Sequence, residues 1–544
     1  MHDDSTQLRF CRALVDEWIR HGMTAAFISP GSRSTPMSLA LNERAELDSF
    51  VIIDERSASF AALGYAKASG KPTILSCTSG TAGANYYPAV VEASMSGVPL
   101  IVCTADRPLE LSNVGAPQAI PQDNLYGRFT KSWDIEPPRM ENANTWRSLA
   151  SQVAAEAMTS AKPVHLNLAF AEPFLPVHES LEDAIAPAGR KDNQPWHSVS
   201  EQVKSLSSNG LTELSEMVSG ARGLLVVGET SEDPDRIVEL ADKLAWPIIA
   251  SPQARIASNK CFTFDPLFSD TEFAESTNAE VILRIGKPIA TKSINTFIAK
   301  HSGVLIVAGA GAWSNPNHNP SLVLDTDALC EQLLNGTELN RSPDGWLEFW
   351  ENANEKARKT VADTLAATDS DSSAWSGPTI ARHVSQNLNE HDLLWVSSSM
   401  PIRDLETYGD LQGHRVLSNR GANGIDGVIA SAIGASLAGN SVKLIIGDVA
   451  ITHDLGSLSL LAQLQPDVCI VVVDDQGGHI FDRLPQATQV DKQAFQKLFI
   501  TDPGRHIKDM AQASGIGFTE SKSPDDFDSA TLSAETPNIV WFNC

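Results

Sequence analysis

The chain has 544 residues, of which 42% are hydrophobic and 20% are charged, a composition typical of a soluble globular protein. This length exceeds what one hydrophobic core supports, so we expect several domains. The formal net charge of −26 disfavours partners that are polyanions, such as nucleic acids and anionic membranes. An anionic substrate would therefore need locally placed arginine and lysine side chains to hold it.

Cysteine usage and the N-terminus bear on the cellular compartment. Seven cysteines are scattered along the chain without a CxxC pair, which favours reduced thiols over a disulfide framework or a zinc site. The N-terminus is polar and acidic, unlike a secretory signal, and no apolar run approaches the roughly 20 residues that a membrane-spanning helix needs. We therefore expect a cytoplasmic protein without membrane insertion.

Short hydrophobic runs alternate with helical stretches along the chain, a pattern that predicts parallel α/β domains. In chain order the runs are AAFIS, SFVIIDE, TILSC, PLIVC and VHLNLAF, then GLLVV, PIIAS, VILRI and VLIVA, then LLWVS, RVLSN, KLIIG and VCIVVV. The segments PFLPVHESLEDAIAPAGRKDNQP and TDSDSSAWSG separate these three groups and are typical of linkers. The sequence thus predicts an α/β protein with three doubly wound parallel-sheet domains, at residues 1–180, 200–365 and 375–544.

A dinucleotide site is one alternative to consider in the middle region. Gly309 and Gly311 follow the run VLIVA and supply two glycines of a G-x-G-x-x-G motif. Ser314 replaces the third glycine, and the prolines and asparagines around it suit a turn better than a helix that would receive a pyrophosphate. A tight turn is therefore the favoured interpretation.

Two strands of the third region end in an aspartate close to a glycine. Asp448 follows Gly447 at the end of KLIIG, and Asp475 follows the next strand and precedes Gly477. Because adjacent parallel strands end at one edge of a sheet, we expect the two carboxylates to face each other. A Mg²⁺ ion shared with a diphosphate would remove their repulsion, with a carbonyl from Gly477 and room for a phosphate at Gly447. Two helix-capping aspartates are the alternative.

The stretch GDVAITHDLGSL followed by VVVDDQGG resembles the metal-diphosphate signature of thiamine diphosphate enzymes. That signature usually ends in Asn-Asn, where this chain has Asp474-Asp475. The resemblance implies thiamine diphosphate as cofactor, with Asp448, Asp475 and Gly477 binding Mg²⁺. Carboxylates would accept Mn²⁺ as well.

The family also uses a glutamate that contacts the aminopyrimidine and helps to remove the C2 proton of the thiazolium. The resemblance gives this role to Glu55 in SFVIIDERSASFAALGYAKASG, where an acid also suits a helix N-terminus. Family members bind the cofactor between the first domain of one chain and the third domain of another. A homodimer with active sites between chains, or a homotetramer, is therefore implied.

Four arginines at strand-end turns are more than a diphosphate requires, and a guanidinium group suits bidentate contact with a carboxylate. They are Arg33 in SPGSRSTP, Arg107 in TADRP, Arg403 in SSSMPIRD and Arg420 in SNRGANGIDG. A surface or capping role is the alternative for each one alone. Together they favour a substrate with several carboxylates.

The motifs SPGSRS, TADRP and SNRGANGIDG resemble the 2-succinyl-5-enolpyruvyl-6-hydroxy-3-cyclohexene-1-carboxylate synthases of menaquinone biosynthesis, and the resemblance extends along essentially the whole chain. It implies that 2-oxoglutarate is decarboxylated and that the resulting succinyl carbanion equivalent adds to isochorismate. Implied substrate contacts are Ser32, Arg33, Arg107, Gln118, Lys292, Arg403, Arg420, Ile480 and Phe481. Implied cofactor contacts are Glu55, Ser399, Met400, Ile425, Gly447 and Asp448. Family members often have an arginine after the lysine, where this chain has Ser293.

Two other functions fit parts of the pattern. An acetohydroxyacid synthase or an oxo-acid decarboxylase has a similar build, but its substrates carry one carboxylate and do not require four arginines. A non-catalytic binding protein of the same fold would not need Glu55, Asp448 and Asp475 together.

Overall fold

The computed structural model describes residues 5–200, 204–309, 313–326, 328–336, 338–370, 375–504, 506–521, 529–532 and 536–544. Gly311 and residues 371–374 of the second predicted linker lie outside the described residues. All strand pairs within the three sheets are parallel, so the predicted α/β class with three parallel sheets is confirmed.

The first sheet has six strands in the order β2-β1-β3-β4-β6-β5. These strands are β1 Ala25–Ile28, β2 Asp48–Val51, β3 Thr73–Cys77, β4 Leu100–Asp106, β5 Lys131–Ile135 and β6 Val164–Ala169. The helices around them are α1 Thr6–Arg20, α2 Thr35–Asn42, α3 Glu55–Ser69, α4 Thr81–Asn85, α5 Tyr87–Ser96 and α6 Trp146–Ser160. Every residue of β3 is buried, as expected for a central parallel strand with both faces covered.

The middle sheet has five strands in the order β11-β10-β9-β7-β8. The strands are β7 Gly223–Val227, β8 Ile248–Ala250, β9 Val281–Ile285, β10 Val304–Ala308 and β11 Leu322–Leu324. The helices are α7 Ser208–Val218, α8 Pro234–Leu244, α9 Phe264–Ser269, α10 Thr271–Ser276, α11 Lys292–Lys300, α12 Leu329–Gly336 and α13 Trp346–Ser370. The long helix α13 packs its Trp346 and Trp350 into the hydrophobic core of this domain.

The third sheet again has six strands, in the order β13-β12-β14-β15-β17-β16. The strands are β12 Asp392–Val396, β13 Val416–Leu417, β14 Ser441–Gly447, β15 Val468–Asp474, β16 Gly517–Ser521 and β17 Asn538–Asn543. The helices are α14 Gly377–Gln386, α15 Met400–Tyr408, α16 Val428–Leu437, α17 Asp448–His453, α18 Leu458–Leu464, α19 Gln486–Gln489, α20 Lys492–Leu498, α21 Ile507–Ala513 and α22 Ser529–Leu532. Among the described residues, no helix combines the length and apolar character that crossing a membrane requires.

The first and third sheets share one strand topology. Numbered within each domain, both follow the order 2-1-3-4-6-5, so the direction of winding reverses between the first and third strands in each case. Ligands of open parallel sheets bind in the crevice at such a reversal, outside the carboxyl ends of the strands. The fold therefore offers two equivalent crevices, at β1/β3 and at β12/β14.

The first and third domains of the chain share a hydrophobic core through α3 and α16. Glycines allow the backbones to touch: a Cβ atom on Gly64 would lie 1.9 Å from the Ser431 carbonyl oxygen, and one on Gly434 would lie 1.8 Å from the Ala61 carbonyl oxygen. Any larger residue at either position would push the helices apart. This contact joins the two domains through the backbones of α3 and α16.

Candidate functional site

The crevice of the third domain contains the two predicted metal-binding aspartates. β14 ends at Gly447, and Asp448 begins α17. β15 pairs with β14 up to Gly447 opposite Val473, so Asp475 follows the neighbouring strand end. A Cβ atom on Gly447 would meet no atom within 4 Å, which leaves open space in front of the strand.

Asp448 is a buried carboxylate in an acidic environment. Its pKa is raised to about 7, mainly by burial and then by the negative charges of Asp475 and Asp474, although backbone amides of Val449 and Gly477 oppose this shift. Among the described residues, Asp448 Oδ2 has no hydrogen-bond partner although it is inaccessible to solvent. A buried acceptor of this kind is costly unless something binds it.

The loop after β15 separates the roles of the paired aspartates. Asp474 Oδ1 accepts a hydrogen bond from the Gln476 amide at 3.1 Å, and its Oδ2 accepts one from Trp541 Nε1 at 3.0 Å. Asp475 accepts the amides of Gly478 at 2.9 Å and His479 at 3.2 Å, which is the capping arrangement considered above as the alternative. Both aspartates are therefore hydrogen-bonded within the fold, and the charge of Asp475 acts on Asp448 more strongly than that of Asp474.

Gly477 has a backbone conformation that only glycine adopts without strain, with φ +134°. A Cβ atom there would lie 2.8 Å from the Asp502 amide nitrogen. Its carbonyl oxygen accepts the Thr501 amide at 3.0 Å, which leaves one lone pair for another partner.

The residues at this edge fit a hard divalent cation. The orphaned Asp448 Oδ2, the adjacent Asp475 and the remaining lone pair of Gly477 are oxygen donors of the type that Mg²⁺ prefers. Among the described residues no three His, Cys, Asp or Glu side chains are grouped to hold a metal by themselves. Further ligands would have to come from elsewhere, as phosphate oxygens and water do in magnesium-diphosphate sites.

Ser399 and Met400 lie at the other strand of the same crevice, after β12. Ser399 has φ +72°, an unfavourable backbone conformation for a residue with a side chain, and it immediately precedes α15. Its carbonyl oxygen accepts a hydrogen bond from Arg403 Nη1, which holds the first turn of the helix. Strained residues of this kind are concentrated at functional sites, where surrounding structure enforces the geometry.

A cleft of about 1040 Å³ brings four predicted site residues together: Lys292, Met400, Arg403 and Ile480. Lys292 is the first residue of α11 and reaches the cleft from the middle domain. The Ser293 hydroxyl donates to Asp265 Oδ1 at 2.7 Å, so it is occupied within the middle domain. Phe481 follows Ile480 and packs on Phe499, with ring centroids 5.3 Å apart.

Arg420 and Ile425 lie on the loop between β13 and α16. Burial lowers the pKa of Arg420; the Glu406 carboxylate raises it, and the nearby positive charge of Arg403 lowers it. Ile425 packs against the core shared by the first and third domains. The structure thus places Arg420 close to the charges of the cleft.

A second group of predicted residues lies in the crevice of the first domain. The guanidinium group of Arg33 is buried, donates to the Phe170 carbonyl oxygen at 2.5 Å and lies over the Phe174 ring at 4.8 Å. Arg107 donates to Ser79 Oγ and, at 2.6 Å, to the Gln118 carbonyl oxygen. Burial lowers the pKa of Arg33, and the positive charge of Arg107 lowers it further.

Ser32 and Gln118 complete this first-domain group. Ser32 is exposed in the loop after β1, next to Arg33. Gln118 has φ +58°, and its Nε2 donates to the Ser79 carbonyl oxygen at 2.9 Å. Two like charges held close together at a strand-end crevice indicate a site for an anion.

Glu55 is the first residue of α3 and is half-buried. The cap of this helix is Asp54, whose Oδ1 accepts the amides of Arg56 at 2.9 Å and Ser57 at 3.4 Å. Since Asp54 performs the capping, the Glu55 carboxylate is available for another role. The helix-capping role that was the alternative for Glu55 therefore belongs to Asp54.

Three further residues of these crevices were not predicted from the sequence. Ser79 contacts both Arg107 and Gln118, and it lies in a Ser/Gly-rich strand-end turn of the type that signalled the other sites. Arg483 lines the cleft, three positions after Ile480. Asp404 lies next to Arg403, and its pKa is raised to about 7 by burial, despite the positive charge of Arg483 nearby. Asp404 could have been indicated only by its position next to Arg403, and Arg483 only by its position two residues after Phe481.

Comparison with known proteins covers nearly the whole chain. Family models for the N-terminal thiamine pyrophosphate binding domain, the middle domain and the C-terminal thiamine pyrophosphate binding domain match residues 9–125, 188–396 and 406–538. A 2-succinyl-5-enolpyruvyl-6-hydroxy-3-cyclohexene-1-carboxylate synthase of Listeria innocua is 35% identical over 96% of this chain and 91% of its own length. The chain belongs to this synthase family.

Other members of the synthase family show the same relationship. The protein from Geobacillus kaustophilus is 38% identical over 90% of this chain and 86% of its own length. The protein from Chlorobium phaeobacteroides is 34% identical over 97% and 92%, respectively. The chain is therefore a thiamine diphosphate enzyme of the synthase family, and its two topologically equivalent crevices lie in the N-terminal and C-terminal cofactor-binding domains.

Proposed function

We propose that this chain decarboxylates 2-oxoglutarate and adds the remaining four-carbon succinyl unit to the conjugated ring of isochorismate. The products are CO₂ and 2-succinyl-5-enolpyruvyl-6-hydroxy-3-cyclohexene-1-carboxylate, an intermediate of menaquinone biosynthesis. The reaction requires thiamine diphosphate and Mg²⁺, or Mn²⁺. The proposal includes domain boundaries at 1–180, 200–365 and 375–544 and a cytoplasmic location.

The observation that carries the proposal is the cleft shared by the middle and third domains. Lys292, Arg403 and Arg483 line it together with the apolar Ile480, and Arg420 lies close to Arg403. Four carboxylate side chains also line the cleft, but five arginine and lysine side chains outnumber them in a chain of net charge −26, which supports a substrate with several carboxylates. The two proposed substrates carry four carboxylates between them, and a pyruvate-like substrate carries one.

The residues of the chain divide the work between binding and proton transfer. Asp448, Asp475 and Gly477 would hold the metal, and the open space at Gly447 would admit the diphosphate. When bound, thiamine diphosphate supplies the electron sink for decarboxylation. The Glu55 carboxyl group would exchange a proton with the pyrimidine ring, and Ile425 would support the cofactor from the core side.

The remaining polar residues would hold the substrate. In the first domain these are Ser32, Arg33, Arg107 and Gln118, and in the cleft they are Lys292, Arg403 and Arg420. Guanidinium and ammonium groups orient carboxylates by charge-assisted hydrogen bonds. Ile480 and Phe481 would cover the reacting carbons and exclude water from them.

A homodimer, or a homotetramer, would complete the site. Val51 and Ile53, just before Glu55, are 45% and 80% exposed, and Leu455 of the third domain is 41% exposed. Large exposed apolar side chains beside a functional carboxylate support coverage by a second copy of the chain. In that arrangement Glu55 of one chain would serve the metal site of the other.

The activity is tested by following the loss of isochorismate absorbance with purified protein. We expect consumption only when 2-oxoglutarate, thiamine diphosphate and Mg²⁺ are all present. No consumption by folded protein would contradict the proposed substrates. Pyruvate and 2-oxobutyrate then test the alternative of an acetohydroxyacid synthase.

Mixing two inactive variants tests whether sites form between chains. Glu55→Gln and Asp448→Asn each remove one half of the site. If the halves come from different chains, mixed dimers contain one intact site, and random exchange restores about a quarter of wild-type activity. No recovery after verified subunit exchange would place both halves in one chain.

A further inference from the structure

A buried ion pair in the first domain contacts the loop that carries Arg420. Lys67 on α3 and Glu92 on α5 are 5% and 4% exposed at their side chains, and Lys67 Nζ lies 3.2 Å from Glu92 Oε1. Neither residue is among the proposed substrate or cofactor contacts. A buried ion pair is expensive to desolvate, so its retention calls for a specific set of partners.

The partners are backbone groups of the third domain. Glu92 accepts the Gly421 amide at 2.9 Å and the Ala422 amide at 2.6 Å, and Lys67 Nζ donates to the Ser418 carbonyl oxygen at 2.7 Å. The ion pair thus binds the main chain on both sides of Arg420. We refer to Lys67 and Glu92 as the 67–92 clamp.

The loop fits closely against the clamp. A Cβ atom on Gly421 would lie 2.6 Å from Ser96 Oγ and 2.7 Å from the Glu92 carbonyl oxygen, so only glycine permits this approach. Ser96 Oγ also donates to Glu92 Oε1 at 2.6 Å. Burial raises the pKa of Glu92, but Lys67 and the two loop amides lower it more, so the carboxylate stays ionised.

The two domains are also in contact at a place separate from this clamp. Helices α3 and α16 already join them through backbone-to-backbone contacts at Gly64 and Gly434. The segment 418–427 between β13 and α16 contains neither a helix nor a strand, so its conformation depends on side-chain partners. This segment carries Arg420 and Ile425, two proposed contacts of the active site.

We propose that Lys67 and Glu92 are positioning residues that hold the 418–422 loop so that Arg420 points at the carboxylate substrate. This inference rests on the proposed function, because it gives Arg420 a substrate to hold. The clamp acts through the loop backbone and touches neither substrate nor cofactor. Its effect should therefore appear in substrate affinity and in the order of the loop.

The first test compares Glu92→Gln and Lys67→Met with wild type in steady-state kinetics. We expect each to raise KM about tenfold, equivalent to about 1.4 kcal/mol, for the same substrate whose KM rises in Arg420→Lys. The double variant Glu92→Gln/Arg420→Lys should show less than the product of the two effects, because both act on one contact. Lys67→Arg, which keeps the charge, should restore most of the affinity.

The control is Arg415→Met. Arg415 Nη2 donates to the Lys67 carbonyl oxygen at 3.0 Å, so it also joins α3 to the third domain, but it does not bond to residues 418–422. We expect it to lower the unfolding temperature without changing KM. If KM rose equally in Arg415→Met and Glu92→Gln, the 67–92 clamp would only stabilise the contact between the domains and would not position Arg420. That result would overturn the proposal.

Hydrogen exchange tests the clamp without any substrate. The amides of Gly421 and Ala422 should exchange faster in Glu92→Gln than in wild type, while amides of β14 stay protected. Unchanged exchange would overturn the clamp even if the synthase reaction is confirmed. Faster exchange with no synthase turnover in wild type would contradict the proposed function and leave the loop-holding role of the clamp in place.

Discussion

The first and third domains place opposite charges at equivalent points of one topology. The third and fourth strands of the first sheet lead into Ser79 and Arg107, and those of the third sheet lead into Asp448 and Asp475. In the first domain the arginines donate to carbonyl and hydroxyl oxygens of the chain, and Arg33 also pairs with Glu172 at 3.5 Å, although Arg33 Nε has no hydrogen-bond partner among the described residues. In the third domain Asp448 Oδ2 is buried without such a partner among the described residues.

This difference shows that the strand topology provides a crevice, and local side chains decide what binds there. Arginines that already donate to several oxygens of the chain, and of which Arg33 also pairs with a carboxylate, can await an anionic ligand at lower cost. A buried carboxylate that lacks a partner and faces a second carboxylate is unfavourable until a cation arrives. We therefore expect ligand removal to affect the third domain more than the first.

The largest effect is expected for Asp448→Asn. Losing this proposed metal ligand should weaken Mg²⁺-dependent cofactor binding by about 100-fold or more and abolish turnover accordingly. Cofactor-free protein should unfold at the same or a higher temperature, because the change removes a buried charge that Asp475 repels. Calorimetric titration with thiamine diphosphate and Mg²⁺, together with thermal unfolding, measures both.

The matched control is Asp392→Asn. Asp392 is also a buried aspartate of the third domain, but it lies 3.7 Å from Lys443 Nζ. Its replacement should lower the unfolding temperature and leave cofactor affinity unchanged. Equal destabilisation by the two variants in the absence of cofactor would contradict the contrast between a paired and an unpaired carboxylate.

The next effect concerns the arginines of the first domain. Arg107→Met should raise KM for a carboxylate substrate about 10- to 100-fold, the cost of a lost hydrogen bond to a charged group. Its Mg²⁺ dependence should not change, since the proposed metal site lies in the other crevice. Steady-state kinetics at varied substrate and varied Mg²⁺ separates the two, and Arg128→Met, at an exposed arginine of the same domain, is the control.

Much of the fold followed from the sequence because parallel strands and their turns are local patterns. Runs such as TILSC and KLIIG are continuous and apolar, as strands buried on both faces require, and both are central strands. The shared core of α3 and α16 could not be predicted this way. It depends on Gly64 and Gly434, which are far apart in the chain and have no periodic signature.

The candidate site likewise contains residues that a local sequence pattern predicts and residues whose place depends on tertiary packing. Asp448 and Arg107 follow strands, so a rule about strand ends locates them. Asp404 and Arg483 lie within helical segments, and their place in the site depends on how α15 and the residues after Ile480 pack. The roles of Asp474 and Asp475 differ because Trp541 donates to Asp474, a contact across the sheet that the sequence does not encode locally.

A smaller effect is expected when the two neighbouring aspartates are compared. Asp474→Asn should lower the free energy of unfolding by about 1–2 kcal/mol, because its oxygens accept hydrogen bonds from Trp541 and from the Gln476 amide. Asp475→Asn should instead weaken Mg²⁺ binding. Chemical denaturation and metal titration of both variants measure this, and a loss of Mg²⁺ affinity in Asp474→Asn alone would reverse the assignment.

The smallest effect is expected for the cluster around Asp16, in which opposite charges already balance within the chain. Asp16 accepts hydrogen bonds from Arg147 at 2.6 Å, Arg20 at 2.8 Å and Arg44 at 2.9 Å. Burial alone would raise its pKa, but these three partners lower it from 3.8 to about 2. Because the folded pKa lies below the unfolded one, the stabilisation is complete above about pH 4 and is lost as the pH falls through about 2.

After allowance for solvent screening, Asp16→Asn should therefore lower the free energy of unfolding by about 1 kcal/mol at pH 7. The difference between variant and wild type should shrink as the pH falls from about 4 to about 2, and it should vanish below that, where Asp16 is protonated in both folded and unfolded chains. Urea denaturation across this pH range measures the difference in the free energy of unfolding.

Because the charges of this cluster are balanced internally, adding thiamine diphosphate and Mg²⁺ should stabilise wild type and Asp16→Asn equally. The same addition should not stabilise Asp448→Asn. If cofactor and Mg²⁺ stabilised wild type and Asp16→Asn to different extents, an internally paired carboxylate would also respond to ligand binding. The contrast with the unpaired Asp448 would then be wrong.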